Sequence, residues 1–199
     1  VYLDGAAGVG KTRLALEAAA RRGGALLARC RPDDAATPLS SAARVLQAFG
    51  DDALGTLPAW VQRELAGWAM RPPETTATPE DLADNPGVAP AQALARMARA
   101  YEAALAALAR DGFGAIVLDD FQWADPASLA LWQAADALHG GEGSGTGAAR
   151  LPMLLVHRVA ELPPAVLEDR RRRVDRGEAI ALALAPLDAA ATLALVRKL

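Results

Sequence analysis

Gly5-Ala6-Ala7-Gly8-Val9-Gly10-Lys11-Thr12 follows the short apolar run Val1 to Leu3 and leads into the helix-friendly stretch Thr12 to Arg22. This is the Walker A pattern G-x-x-x-x-G-K-[ST] in its strand–loop–helix setting. The residue types have a physical reason. Consecutive backbone N–H groups can wrap an anion only where no Cβ intervenes, which glycine allows. The following helix aims its free N–H groups and positive dipole end at the same point. Such a loop fits a phosphate chain. Lys11 is placed to reach the outer phosphates, and the Thr12 hydroxyl to ligate Mg²⁺.

The rest of the chain supplies strands and helices in alternation. Ala25 to Ala28 reads as a second strand after a stop at Gly23-Gly24. Pro32 and Pro38 bracket a polar loop. Residues 39–70 read as two helices, one with Leu39, Ala42, Ala43, Leu46 and Phe49 inward, the other with Trp60, Val61, Leu65, Trp68 and Ala69. Residues 71–89, rich in Pro, Thr and Asp, read as a loop with a short helix after Thr78. Ala91 to Arg110 is an amphipathic helix through Leu94, Met97, Tyr101, Leu105 and Leu108. A third strand, a helix from Pro126, a fourth strand at Met153 to Val156, a charged helix over 165–174 and a fifth strand at Ala179 to Leu184 follow. Alternation of this kind predicts a parallel α/β sheet covered on both faces.

The run Gly114 to Asp120 is apolar until it ends in two carboxylates, the pattern of a strand buried on both faces. Ligands of parallel sheets lie beyond the carboxyl ends of the strands, which brings Asp119 and Asp120 to the phosphate loop. Asp119 fits an aspartate that holds Mg²⁺, directly or through water. Asp120 fits a group that orients or deprotonates an attacking water. Arg158 directly follows the fourth strand. Its position alone suits a γ-phosphate contact and a surface arginine equally. Asp125-Pro126 reads as a helix N-cap and first-turn proline.

Composition excludes several alternatives. With 52% hydrophobic and 23% charged residues the chain reads as soluble and globular, and a net charge of -3 gives no general attraction to nucleic acid or anionic membrane. The single cysteine, Cys30, rules out an internal disulfide and suits a reducing cytoplasm; it reads as a small buried hydrophobe. Two histidines, His139 and His157, are too few for a His/Cys zinc site. No uncharged apolar run reaches the roughly 18 residues of a membrane span. Arg170 to Arg173 reads as the solvated face of a helix, paired with Glu168, Asp169 and Asp175. Trp60, Trp68 and Trp132 read as core. The start inside a strand pattern and the stop inside a helical one suggest a piece of a longer protein.

Gly5 to Leu14, taken with Val117-Leu-Asp-Asp-Phe-Gln-Trp-Ala-Asp-Pro126, resembles the AAA-type ATPase domain of bacterial STAND regulators. That group includes the large LuxR-type transcriptional activators and related cyclase- and kinase-linked ATPases. His157-Arg158 resembles the family's sensor arginine, and Ala185-Pro-Leu-Asp188 the start of its helical lid. The resemblance implies a three-layer α/β/α P-loop fold with a five-stranded parallel sheet of order 5-1-4-3-2. The residues themselves read as a long, mainly helical insertion (39–110) between strands 2 and 3. Residues 1–185 would form the core, 140–149 a flexible linker and 186–199 the start of the lid. The implied cofactors are ATP and Mg²⁺, held by Gly5, Ala6, Ala7, Gly8, Val9, Gly10, Lys11, Thr12 and Arg13, with Thr12 and Asp119 on the metal. Lys11, Asp120 and Arg158 would carry slow, switch-like hydrolysis by in-line attack of water on the γ-phosphate. Partners would be output and sensor domains of the parent chain, with nucleotide-dependent self-association possible, no direct nucleic-acid contact and no membrane.

Two other readings of a P-loop chain stand beside this one, a small-molecule kinase and a mechanical AAA+ ATPase. The first needs an acceptor pocket, which 39–110 has the length to supply. The second needs an arginine finger in trans, and the sequence identifies none. No N-K-x-D guanine-reading motif and no L-S-G-G-Q transporter signature occurs.

Overall fold

Alternating apolar strand runs and amphipathic helical runs become a single parallel sheet with helices on both faces in the computed structural model, which describes residues 1–69, 90–108, 112–139 and 151–197. The elements in chain order are β1 (Tyr2–Gly5), α1 (Lys11–Ala20), β2 (Ala25–Arg29), α2 (Ser40–Gln47), α3 (Asp51–Gly55), α4 (Ala59–Ala66) and α5 (Pro90–Leu108). Then come β3 (Ala115–Asp119), α6 (Pro126–His139), β4 (Met153–His157), α7 (Pro164–Asp175), β5 (Ala181–Leu184) and α8 (Ala189–Val196). Among the described residues the 3₁₀ turns Pro32–Ala36, Phe121–Trp123 and Val159–Glu161 join them. The sheet order is β2-β3-β4-β1-β5, every described pair parallel, as the expected order reads from its other edge.

The order decides which face each helix covers. The chain leaves β1 toward one edge and returns from β2 through β5 in the other direction, so right-handed crossovers put α1 on one face and the helices of the later crossovers on the other. There Ala15 and Ala19 of α1 pack on Leu3, Ala115, Val117 and Val156. The other face carries the larger core, where Tyr2, Leu26, Ala28, Ile116 and Leu118 meet residues of α2, α4, α5 and α6. All five residues of β3 are buried. Full burial of each of Ile116, Val117 and Leu118 contributes about 1.5–3 kcal/mol, which makes this strand the anchor for whatever follows it. β5 is an edge strand and reads differently: its Leu182 is 50% exposed, and Ile180 just before it 61%.

Between β2 and β3 lies the helical insertion, and here the structure departs from the sequence reading. Residues 39–69 form three helices, because the chain turns at Gly50 and again at Pro58. Trp60 is 48% exposed and is not core. The buried stripe of α4 is Val61 and Leu65, four apart, and Trp60 sits about 100° around the helix from Val61. Trp68 and Trp132 are buried as expected, the latter donating its indole N–H to the Tyr101 hydroxyl at 3.0 Å. The polar loop between Pro32 and Pro38 contains the first 3₁₀ turn. The loop and short helix expected over 71–89, the last residues of the helix expected to reach Arg110, and the linker expected at 140–149 lie outside the described residues.

The arginine run of α7 is more than a solvated face. Arg170 reaches back to Asp4 at 3.5 Å, with its guanidinium 5.8 Å from the centre of the Tyr2 ring. Arg173 pairs with both Asp169 and Asp136, and Arg172 with Asp169. Ion pairs to β1 and α6 therefore dock a helix that has little apolar surface of its own. Among the described residues no helix is long and apolar enough to cross a membrane.

Candidate nucleotide-binding site

The carboxyl ends of β1, β3 and β4 lie side by side at one edge of the sheet, and the residues singled out in the sequence emerge there. The loop 6–10 leaves β1 and is open to solvent apart from the half-buried Val9. Gly10, at φ 93°, closes the loop into α1, and its carbonyl accepts the Leu14 N–H at 2.9 Å, the first bond of the helix. Gly5 lies where β1 meets β5: a Cβ there would stand 2.5 Å from the Leu184 carbonyl oxygen. Glycine at this position is thus required by sheet geometry as well as by the loop. Lys11 curls back over the loop, its Nζ donating to the Gly5 and Ala6 carbonyls at 2.9 Å each. Arg13 points outward on α1 and is exposed.

Thr12 begins the first turn of α1 and meets the end of β3. Its hydroxyl donates to Asp119 Oδ1 at 2.9 Å, although the two residues are 107 apart in sequence. Asp119 is only 5% exposed. The same Oδ1 accepts the Asp120 backbone N–H at 3.1 Å, and Oδ2 accepts Arg29 Nη2 at 3.2 Å. Asp120 adopts the left-handed region at φ 53°, ψ 40°, a conformation asparagine and aspartate tolerate better than other side chains. That turn swings the chain from β3 into the 3₁₀ turn at 121–123, and the Asp120 carboxylate accepts Gln122 Nε2 at 3.4 Å.

Arg158 follows β4 at the same edge. Its guanidinium is bound to Glu161 at 2.7 Å, and the side chain is 42% exposed. The Glu161 carboxylate, with a smaller contribution from Asp120, holds Arg158 in its charged form. Next to it, His157 is buried, and desolvation pushes its ring below the ordinary histidine value. Cys30 lies just beyond β2, where burial pushes its thiol up to about 12; it is a small buried hydrophobe rather than a nucleophile.

The structure thus brings Lys11, Thr12, Asp119 and Asp120 to one point and sets Arg158 at the same edge, turned to Glu161. One member of the constellation was not visible in the sequence. Arg29 ends β2 and looks there like any solvated charge after a strand. Only the register, Arg29 opposite Asp119, puts it at the carboxylate.

Sheet order, loop and helix dipole together define a P-loop nucleoside triphosphatase fold. The AAA ATPase domain profile matches residues 1–142, and the chain belongs to that family. It is accordingly a nucleotide-binding ATPase module. No curated protein and no solved structure matches the chain.

Proposed function

We propose that the chain binds ATP with Mg²⁺, hydrolyses it slowly, and serves as the regulatory switch of a larger signalling or transcription-regulating protein of the STAND, LuxR-type kind. The single observation carrying the site is the 2.9 Å contact between Thr12 Oγ1 and Asp119 Oδ1 at the start of α1. It sets two hard oxygen donors side by side at the mouth of a phosphate loop, which suits Mg²⁺ with the remaining positions left to phosphate and water. The open loop backbone suits the phosphates themselves.

In this reading the N–H groups of residues 6–13 cradle the phosphate chain, and Lys11 leaves the Gly5 and Ala6 carbonyls for the β- and γ-oxygens. Thr12 and Asp119 would hold the magnesium. When bound, the metal neutralises phosphate charge and fixes the geometry of the chain. Asp120 orients or deprotonates the water that attacks the γ-phosphate in line. Arg158 turns from Glu161 toward the charge released on the γ-oxygens. The core is taken as 1–185 and the start of a lid as 186–199. α8, capped by Asp188 through the Ala191 N–H at 2.7 Å, would be the first lid helix. Movement of that lid on ATP binding would transmit the state of the site to sensor and output domains or to a second copy. A cytoplasmic location goes with this role.

Calorimetric titration of Mg-ATP and Mg-GTP into the chain and into Lys11→Ala tests the reading. Saturable ATP binding that the variant loses, with little response to GTP, is expected. A folded chain that takes up no ATP, in this length and in any longer parent, would sink it.

A further inference from the structure

Asp119 is a buried carboxylate, and burying a charge is costly unless a partner offsets it. Oδ1 is taken by Thr12 and by the Asp120 N–H. The only cation in an ion pair with Asp119 among the described residues is Arg29, at 3.2 Å from Oδ2. Lys11, the other cation of the loop, is engaged with the Gly5 and Ala6 carbonyls.

The pair is built into the sheet. Arg29 and Asp119 are register partners at the ends of adjacent parallel strands, so both side chains leave the same face. The Cys30 N–H donates to the Asp119 carbonyl at 2.9 Å and holds that register at its last rung. The two partners differ in freedom, however. The Asp119 side chain is 7% exposed, the Arg29 side chain 58%. The carboxylate is fixed and the guanidinium is an arm at the surface. Because the Arg29 end is exposed, solvent partly screens the pair, and the arm can yield the carboxylate to a cation that replaces its charge.

We propose that Arg29 is a positioning residue that occupies the Asp119 carboxylate in the metal-free chain and must release it before a divalent cation is held between Thr12 and Asp119. This rests on the metal site proposed above. A divalent ion held on Oδ1 beside Thr12 and a guanidinium on Oδ2 of the same carboxylate are like charges a few ångströms apart, so the two compete for Asp119. Arg29 therefore biases the site against bare metal. It supplies a countercharge beside the buried Asp119 carboxylate, whose other oxygen stays on Thr12 while the site waits. A metal ion arriving with a polyphosphate brings its own anions and overcomes the bias.

The test is Mn²⁺ binding to the nucleotide-free chain, followed by the loss of the free-ion electron paramagnetic resonance signal. Arg29→Gln is expected to bind Mn²⁺ roughly three- to tenfold more tightly than the wild type, the range a weak ion pair and its repulsion of the metal allow. Arg29→Lys, which keeps the charge, is expected to fall near the wild type. In an Asp119→Asn background Arg29→Gln is expected to change nothing. Equal Mn²⁺ affinity in wild type and Arg29→Gln, or no measurable binding to Arg29→Gln, overturns the proposal. So does loss of ATP binding by Arg29→Gln in EDTA, which would assign Arg29 to the phosphates instead. A wild type that binds no ATP would count against the nucleotide site and leave the Mn²⁺ comparison readable.

Discussion

Asp125 and Ser41 cap each other's chains. The Ser41 N–H donates to Asp125 Oδ2 at 3.0 Å, and the Asp125 N–H donates to Ser41 Oγ at 3.2 Å. The same carboxylate accepts the Ser128 N–H at 2.8 Å, which is the helix cap expected for α6. It also accepts the Leu39 N–H at 2.8 Å, holding Leu39 at φ 64°, a backbone conformation rare for leucine. One fully buried side chain thus ties the first turn of α2 to the first turn of α6, five residues after Asp120. The helical insertion is fastened to the segment that follows the acidic pair.

Asp125→Ala is therefore expected to be among the most destabilising single changes in the chain. It leaves the N–H groups of Leu39, Ser41 and Ser128 without this acceptor in a dry place and lets Leu39 relax out of its strained turn. A loss on the order of 3–5 kcal/mol in urea unfolding is expected, several times that of an exposed cap. A loss below about 1 kcal/mol would mean that water reaches these groups.

Gly5→Ala and Gly10→Ala both place a Cβ at a positive φ, 154° and 93°, and differ in the space that it finds. At Gly5 the added Cβ meets the Leu184 oxygen at 2.5 Å and Val9 Cγ2 at 3.1 Å, so β5 must move off β1. At Gly10 nothing lies within 4 Å and only the positive φ opposes the change. Strain of that kind costs about 1–2 kcal/mol, or a few degrees in Tm for a domain of this size. Gly5→Ala is expected to lower Tm at least twice as far as Gly10→Ala in a thermal melt. Equal shifts would refute the sheet-contact argument for Gly5.

What was legible in the sequence follows the range of the forces involved. The phosphate loop and β3 were plain because their signals are local: glycines at fixed spacing, and an apolar run that burial on both faces demands. Half of the role of Asp125 was local too, since Pro126 and Ser128 are its neighbours. Its other half lies 84 residues upstream, with Ser41, and no spacing rule reaches it. Arg29 was invisible for the same reason, because strand register is a tertiary fact. The exposure of Trp60 is not legible because periodicity gives the width of an apolar stripe better than its phase.

Trp60 and Trp132 test that correction directly. Trp132 is 8% exposed and bonded to Tyr101, so Trp132→Ala is expected to cost about 3–5 kcal/mol. Trp60→Ala is expected to stay within about 0.5–1 kcal/mol, as a surface change does. Urea unfolding of the two variants measures both. A costly Trp60→Ala would show that this indole is covered in solution.

The pH dependence of stability turns on His157. Its ring is 1% exposed, edge-on to Tyr2 and Phe121, with Nδ1 3.1 Å from the Leu155 carbonyl and no partner for Nε2 among the described residues. Burial is the main force keeping it neutral; the nearby Arg170 and Lys11 add to that, while the Leu155 contact and Asp4 oppose it. The folded value therefore lies below the unfolded one, which is about 6.5. Above the unfolded value both states are neutral and the residue contributes no slope. As pH falls through about 6.5, the unfolded chain takes up a proton that the folded chain refuses, so stability falls by up to roughly 1.4 kcal/mol per pH unit. The loss stops only once the folded value is passed. His157→Phe keeps an aromatic ring against Tyr2 and Phe121 and removes the titration. Its urea midpoint is expected to change less than that of the wild type between about pH 7.5 and 5.5, a window set by the ordinary histidine value. His139 is common to both proteins and cancels. Parallel midpoint curves would mean that His157 is reached by water and protonates freely in the folded chain.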